Sequence, residues 1–248
     1  MSIDFSQVKT ITIPEGSVNK ITDSNGVILW ANEDAFPYRR LEYIKFSGAE
    51  YVNTLLSIPG NTSYKRFDIK VNLQNITNWG INGADSDGNI RFNMGVNGNG
   101  YTRIGVGNKN TWANGDGVLL ALNTDYVLSL EVNGNAVGRV YNAQGALIGS
   151  GATLSSISFS GNSNVLYVGA ANYDNNVSSY LEEKVYNVVI RLGNASNLTA
   201  NLIPCQRKSD NICGFYDTVR SAFYSMSGTT ITDAAAGPIV DEYWNLQA

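Results

Sequence analysis

Apolar and polar residues alternate with a period of two along most of the chain. In residues 9–13, for example, Ile11 and Ile13 alternate with threonine and lysine. This period is typical of a half-buried β-strand, because successive side chains point to opposite faces of a sheet. No stretch of ten or more residues has the 3.6-residue apolar period of an amphipathic helix. The pattern therefore predicts an all-β protein.

Strand-like runs separated by turn residues fill the middle of the chain. The runs span residues 41–46, 67–73, 90–94, 102–106, 126–132, 136–141, 165–168 and 186–191. The turns between them contain Asn-Gly and Asp-Gly pairs, at residues 82–83, 87–89, 97–100, 114–117 and 133–135. Such pairs supply the positive φ angles that two-residue hairpin turns require. Many short antiparallel strands of this kind predict a two-sheet antiparallel jelly-roll sandwich.

Three regions follow from these patterns. Residues 1–36 form a short N-terminal β segment with three predicted strands, the second and third at 18–22 and 27–30. Three strands this short bury too little to be stable alone, so we expect them to dock on the sandwich, another copy or a partner. Residues 37–228 form the sandwich, and residues 229–248 form a polar C-terminal tail expected to lie on its surface.

Composition excludes several classes of function. The 248 residues contain no histidine, which removes Ser-His-Asp triads and imidazole metal ligands. The net charge is −4 and the 17 Lys and Arg residues are scattered, so no nucleic-acid partner is expected. The longest apolar runs are about five residues, too short for membrane insertion. The N-terminus has no secretory-signal pattern, so we expect folding in a cytoplasm, with Cys205 and Cys213 as free, half-buried thiols; a hairpin disulfide remains the alternative.

The Glu residues of the sandwich do not form the carboxylate pattern of a glycosidase. A glycosidase needs two carboxyl groups roughly 5–9 Å apart. Between residues 51 and 241 the Glu residues are Glu131, Glu182 and Glu183, and the adjacent pair would point to opposite faces of a strand. We therefore expect that the chain is not an enzyme.

One segment has the character of a metal-binding loop. Asp85, Asp87 and Asn89 alternate oxygen ligands as in the first half of a calcium loop. The bidentate Glu of the second half is missing, and a hairpin turn explains the same residues without a metal. No other cofactor is expected.

Glycan binding would combine an exposed aromatic ring with polar groups on neighbouring loops. The aromatic and polar residues in the turn-rich loops are the candidate glycan ligands: Trp79, Asp85, Asp87, Tyr101, Trp112, Asn114, Asp116, Tyr173 and Asp174. The alternative for Trp79 and Tyr101 is core packing, which is the usual role of aromatic residues in strands.

Both ends of the sandwich carry motifs of a known family. Residues 41–54 resemble the opening motif of laminin-G/concanavalin-A-like lectin domains of phages and prophages, and residues 202–211, 214–219 and 222–224 resemble its closing motif. Residues 230–238 are similar to the family's final segment, and residues 11–30 to a leader found on such virion proteins. We read the closing motif as a terminal hairpin that seals the sandwich against the opening strand at Tyr43, with Pro204 at a strand start or edge.

The resemblance implies a phage virion structural protein of tail, fiber or head-fiber type, assembled in the host cytoplasm. The first hypothesis is a lectin-like module for adhesion to bacterial surface glycan, attached to other virion proteins by residues 1–36 and present as a homo-oligomer. The second hypothesis is a purely structural capsid or tail subunit without a ligand. The third is a glycan depolymerase.

Overall fold

A computed structural model of the chain describes residues 20–22, 28–31, 37–60, 63–75, 82–85, 91–111, 116–159, 162–173, 176–178, 180, 182–227 and 236–241. Every regular element in these ranges is a β-strand, and the main body consists of two sheets packed on one hydrophobic core. The predicted all-β, two-sheet sandwich is therefore confirmed. Within the same ranges, no helix is both long and apolar enough to cross a membrane.

The N-terminal segment contributes a separate two-stranded antiparallel sheet. It consists of β1 (Lys20–Thr22) and β2 (Ile28–Ala31), with Ile21 opposite Trp30. These strands coincide with the second and third predicted strands of the segment. The first predicted strand lies outside the described residues, and the docking of the segment stays a prediction.

The larger sheet is built around two long central strands, β6 (Tyr64–Leu73) and β17 (Glu182–Gly193), which pair over almost their full lengths. Beyond β6 follow β11 (Asp125–Asn133), β12 (Asn135–Asn142) and β13 (Leu147–Ser150). Beyond β17 follow β4 (Ile44–Ser47) and β18 (Leu198–Arg207), then β19 (Cys213–Asp217) and β20 (Ala222–Ser227). Beside β18 lie β3 (Tyr38–Leu41) and β21 (Ile239–Asp241).

The smaller sheet covers the inner face of the larger one. Its strands are β5 (Tyr51–Ile58), β7 (Asn82–Asp85), β8 (Arg91–Val96), β9 (Thr102–Gly107), β10 (Lys109–Asn110), β14 (Asn162–Val168), β15 (Ala171–Tyr173) and β16 (Asn176–Ser178). Among the described pairings, β15 runs parallel to β7 and all others are antiparallel. Strand β20 joins the two sheets, because its first half pairs with β19 and its end pairs with β5.

The core lies between the sheets and draws on both. Phe46 and Phe67 of the larger sheet and Phe92 and Val106 of the smaller sheet are at most 1% exposed. Each such side chain stabilises the fold by roughly 1.5–3 kcal/mol through burial of apolar surface. All eight predicted runs coincide with strands, although the run at 41–46 is interrupted between β3 and β4.

The chain ends close the sandwich in a different way from the prediction. The terminal hairpin β19–β20 does form, but β20 pairs with Tyr51 and Val52 of β5, not with the strand at Tyr43. Tyr43 instead receives the final segment of the chain, since the Gly237 N–H donates to the Tyr43 carbonyl at 3.0 Å. A side chain at Gly237 would come within 3.0 Å of the Tyr43 ring and carbonyl, so the close approach requires glycine. Part of the predicted tail is thus an edge strand of the larger sheet, β21.

Asp217 explains much of the closing motif. Its buried carboxylate accepts hydrogen bonds from the backbone N–H groups of Asn201 and Val219 and forms an ion pair with Arg220 at 2.6 Å. Arg220 also donates to the carbonyl of Thr54 at 2.9 Å. The motif therefore ties the last hairpin to β5, in agreement with the structural role predicted for it.

The two thiols are free and fully buried, not half-buried as predicted. Cys213 belongs to the core between the sheets, whereas Cys205 packs with Tyr216 in a second cluster on the outer face of the larger sheet. They face opposite sides because Cys205 is opposite Gly214 and Cys213 is opposite Gln206, one residue further along the ladder. This register argues against the hairpin disulfide, because the two Cβ vectors point apart.

Candidate functional site

Strands β17 and β18 separate on the outer face of the larger sheet. Val188 of β17 pairs with Leu202 of β18, but the earlier part of β17 pairs with β4 instead. From Cys205 onward β18 pairs with β3 on the same side. The result is a depression in the sheet surface where β3, β4, β17 and β18 meet.

Pro204 lies at this separation, in the interior of β18 rather than at a strand start. The Lys208 N–H donates to Pro37 on the β3 side, whereas the Arg207 N–H donates to Ile212 on the β19 side. Backbone groups alternate along a strand, so the Pro204 nitrogen faces the β3 side, where β18 has left β17 and β3 has not begun. Proline is tolerated here because no neighbouring strand needs a hydrogen bond from this nitrogen. The predicted reason is therefore correct, although the position is inside the strand.

A cavity of about 530 Å³ opens at the separation. The polar groups that line it are Arg40, Glu42, Lys70, Asp125, Tyr186 and Asn187. Its apolar lining consists of Leu41, Ile203 and Val240. Small-molecule sites typically combine an apolar wall with a few convergent polar groups in roughly 300–1,000 Å³. We take this outer-face cavity as the candidate site.

A β-bulge brings Tyr186 into the outer-face cavity. Val185 pairs with Val71 of β6, and Asn187 pairs with the preceding residue Lys70, so Tyr186 is the extra residue of β17. A bulge re-aims the side chain of the residue it inserts and is common beside binding sites. The sequence carries a faint signal of it, since the buried residues Val185 and Val188 are three positions apart instead of two.

Hydrogen bonds hold Tyr186 across the face of the sheet. Its hydroxyl donates to Asp125 Oδ1 at 3.1 Å, and Asn72 Nδ2 donates to the same oxygen at 2.7 Å. Asp125 belongs to β11, so the side chain of Tyr186 reaches from β17 past β6. Burial, reinforced by the Asp125 carboxylate, raises the pKa of Tyr186 above its usual value. The hydroxyl therefore stays a protonated donor and fixes the ring.

Cations and aromatic rings alternate next to this tyrosine. Lys70 Nζ is 5.0 Å from the ring centroid of Tyr186, and Lys184 Nζ is 4.7 Å from that of Tyr43. The two rings meet edge to face with centroids 5.6 Å apart. Such contacts contribute roughly 0.5–1 kcal/mol each when exposed. They order the lysine side chains while leaving their ammonium charges uncompensated.

The opposite end of the same outer face is an ion-pair network. Asp68 accepts from Arg66 at 2.8 Å and from Arg191 at 3.2 Å, and Glu131 lies 3.3 Å from Arg139 and 3.6 Å from Arg66. Partly exposed pairs of this kind contribute about 0–1 kcal/mol each. Their hydrogen-bonding groups already have partners, which makes this end a poorer place for a ligand than the cavity.

The predicted glycan ligands that the structure describes lie away from the outer-face cavity. Trp79, Asp87, Trp112, Asn114 and Asp174 lie outside the described residues. The structure places Asp85 opposite Tyr173 in the parallel β7–β15 pair, and Tyr173 is 38% exposed. Tyr101 is half-buried and forms a β-bridge with Leu119, three residues after Asp116. Ligand contact by these residues stays a prediction.

Sequence reasoning missed the outer-face cavity because its residues are far apart along the chain. Asp125 and Tyr186 are separated by 61 positions, and Lys70 and Arg40 come from two further strands. Each alone reads as an ordinary polar position on the solvent face of a strand. A register of the whole sheet is needed to bring them together.

The calcium candidate receives no further support. Asp85 ends β7, and Asp87 and Asn89 lie outside the described residues. Within the described ranges, no group of three or more Asp, Glu, Cys or His side chains is placed to hold a metal ion.

Comparisons with known proteins bear on the fold. No protein-family profile and no curated protein matches the chain. A candidate carbohydrate-binding protein of Bacteroides ovatus aligns with a TM-score of 0.51 at 14% identity, over 82% of this chain and 62% of that one. The chain thus spans less than two thirds of that protein's length.

Two further solved structures align more loosely. The enzymatically active domain of tailspike protein 2 of bacteriophage CBA120 gives a TM-score of 0.41 at 10% identity, over 79% of this chain and 31% of that one. A Trypanosoma rangeli sialidase mutant with trans-sialidase activity gives 0.36 at 17% identity, over 52% and 20%. TM-scores this low do not show a shared fold. The chain is therefore a two-sheet β-sandwich of an architecture that the Bacteroides protein shares.

Proposed function

We propose that this chain is a lectin-like module of a phage virion, which attaches the particle to bacterial surface glycan through the outer-face cavity. The observation that carries the proposal is Tyr186, an aromatic ring fixed by Asp125 inside a cavity with an apolar wall and further polar groups. The resemblance of both ends of the sandwich to phage lectin-like domains supports the virion setting.

The chemistry of the cavity suits a saccharide. A sugar ring offers C–H groups that pack on an aromatic or aliphatic surface, here Tyr186, Ile203 and Val240. Its hydroxyls both donate and accept, and the cavity offers both kinds of partner, since Arg40 and Lys70 are donors and Glu42 has a carboxylate that accepts. Apolar packing gives affinity, and the few polar groups fix the orientation of the ligand.

Attachment to the particle is assigned to residues 1–36. The hairpin β1–β2 is too short to be a stable unit alone, as expected for a segment that completes its packing on a partner. Many copies on one particle would convert weak single-site binding into strong attachment, with gains of roughly 10²–10⁴ in avidity.

We propose a binding role without catalysis. Glu131 is engaged by Arg66 and Arg139 in the ion-pair network, which leaves it poorly placed to act on a ligand. Glu182 is half-exposed on the outer face, whereas Glu183 is fully buried on the inner face, so the adjacent pair faces opposite sides as predicted. Neither arrangement supports the paired carboxyl groups that a depolymerase would need.

A purely structural subunit is the second candidate. Among the described pairings, β13 pairs with β12 alone, as an edge strand does, and its Leu147 and Ile148 are 56% and 51% exposed. Exposed apolar residues on an edge strand favour contact with another subunit.

The proposal is tested by probing an array of bacterial surface polysaccharides with the full chain coupled at high density to fluorescent beads. We expect binding, and a loss of about tenfold in affinity for Tyr186→Ala, equivalent to roughly 1.4 kcal/mol. The matched control is Tyr173→Ala, an exposed tyrosine of the other sheet. Circular dichroism checks that both variants are folded.

The outcomes separate the alternatives. Loss of binding in Tyr186→Ala alone supports the outer-face cavity. Loss in Tyr173→Ala alone would move the site to the loops predicted from the sequence. Absence of binding to every polysaccharide would favour the structural subunit.

A further inference from the structure

Two lysines face each other on the outer face beside the cavity. Lys184 of β17 and Lys45 of β4 are directly opposite in antiparallel register. Lys45 is exposed and Lys184 is half-buried. Side chains in such a pair have Cβ atoms about 4.5–5.5 Å apart, and like charges there destabilise the sheet. Neither lysine forms an ion pair with any residue that the structure describes.

Two further cations, which line the cavity, also have no ion-pair partner among the described residues. Lys70 contacts the Tyr186 ring and Arg40 is exposed on β3. The Asp125 carboxylate is occupied by Asn72 and Tyr186 instead. The carboxyl residues at this end are Asp125, Glu42, Glu182 of β17 and Asp241, which is opposite Arg40 in register, so the four cations are matched in number. Among the described residues, however, none of these carboxylates forms an ion pair with Lys45 or Lys184.

The same sheet shows that its cations can be paired. At the other end of the outer face, the three arginines of the ion-pair network share two carboxylates. The four cations at the cavity end have no ion-pair partner among the described residues, and Lys70 and Lys184 are held beside aromatic rings. An anionic group there would relieve the repulsion between Lys45 and Lys184 and form charge-assisted hydrogen bonds with both.

We propose that the outer-face cavity recognises an acidic saccharide, whose carboxylate or phosphate group lies over Lys45 and Lys184 while a sugar ring contacts Tyr186. This inference rests on the proposed glycan-binding function and names its substrate class. A saccharide fits better than a nucleic acid, because the cations are confined to the cavity and the lysine pair beside it instead of forming the extended basic stripe that tracks a phosphate backbone.

The test uses the full chain on an array of purified bacterial polysaccharides in three groups: neutral, carboxylated and phosphorylated. We expect binders in the acidic groups, at least tenfold tighter than any neutral polysaccharide and weakened by raising the salt from 50 to 500 mM NaCl. The carboxylated and phosphorylated arms identify the acid. The double variant Lys45→Gln/Lys184→Gln should lose about tenfold in affinity for the acidic binders, as expected for removal of charged hydrogen bonds.

Controls make the outcome decisive. Lys109→Gln removes an exposed lysine of the smaller sheet and should leave binding unchanged. The double variant removes the Lys45–Lys184 repulsion and also the Lys184–Tyr43 cation–π contact, which have opposite effects, so its melting temperature should stay close to that of the wild type. Binding lost at an unchanged melting temperature cannot come from unfolding.

Three results would overturn the inference. Neutral polysaccharides binding as tightly as acidic ones would refute the acidic preference but leave the glycan-binding function standing. A single-stranded oligonucleotide binding as tightly as the acidic polysaccharides would mark a general polyanion surface. No binding to any group would remove both this inference and the proposed function.

Discussion

The two faces of the larger sheet are made by the same strands but are subject to different physical demands. Along β6, the inner residues Phe67 and Ile69 are fully buried against the smaller sheet, whereas the outer residues Arg66, Asp68 and Lys70 are half-exposed. The side-chain volume at the inner positions is constrained, because the core is close-packed and the loss of even one methylene group lowers stability. Outer positions are free to carry chemistry, so the outer face is where a site can be built without loss of stability.

The inner face also has an exception that sharpens the comparison. Glu183 of β17 is 0% exposed, and neither of its carboxylate oxygens has a hydrogen-bond partner. Lys65, at the far end of β6, is equally buried but donates to the Ser63 carbonyl at 3.1 Å and lies 5.2 Å from the Phe159 ring. Burial lowers the pKa of Lys65 to about 8 and raises the pKa of Glu183 well above its usual value. Burial thus favours the neutral form of Glu183, whereas Lys65 keeps its charge at neutral pH with the help of the Ser63 carbonyl and the Phe159 ring.

The largest expected effect comes from the inner face. Phe67→Ala leaves a cavity in the middle of the core and should lower the free energy of unfolding by about 3–5 kcal/mol. Urea unfolding followed by fluorescence measures it. The matched change on the outer face of the same strand, Lys70→Gln, removes only the cation–π contact with Tyr186 and should lower the free energy of unfolding by no more than about 1 kcal/mol. Similar losses in both variants would mean that the two faces do not differ as described.

Glu183 should give a smaller effect that depends on pH. Its pKa is raised in the folded state, so above the ordinary value of about 4.5 the unfolded chain has lost a proton that the folded chain keeps. Stability should therefore fall as pH rises, by up to about 1.4 kcal/mol per pH unit, until Glu183 ionises in the folded state. Glu183→Leu should remove this slope between pH 5 and 7.5, as measured by urea unfolding at several pH values.

The neighbouring Glu182 provides the control for this slope. Glu182→Gln changes a half-exposed side chain on the outer face and should leave the pH dependence of unfolding unchanged. A wild type whose stability is flat across the range, or a slope that follows Glu182, would contradict the assignment of a neutral Glu183.

Several local features of the fold were predictable from the sequence because their causes are local, although the turn predicted at 82–83 is wrong, since Asn82 and Gly83 belong to β7. Asn97 Oδ1 accepts from the backbone N–H groups of Asn99 and Tyr101, which explains the predicted turn at 97–100. Gly134 has a φ of +73° in the turn between β11 and β12, as its Asn-Gly pair indicates. In each case a residue within four positions supplies the determining interaction.

The candidate site could not be predicted in this way. The bulge at Tyr186 depends on its pairing with β6, and the role of Asp125 depends on a partner two strands away. Pro204 shows the same limit, because its missing N–H indicated an edge but could not place that edge inside a long strand. Such features follow from the register of the whole sheet, which residue patterns do not specify.

The smallest expected effect is that of oxidation, and it tests the two faces directly. Cys205 lies in the outer cluster and Cys213 in the core, so an oxidant should form no bond between them and should not change the melting temperature. Burial raises the pKa of Cys205, which further lowers its reactivity. A thiol reagent should therefore label both cysteines in denaturant and neither within minutes in the folded protein. A Cys205–Cys213 disulfide found by peptide mapping of the oxidised, folded chain would show that the β18–β19 register, and with it the assignment of residues to faces, is wrong.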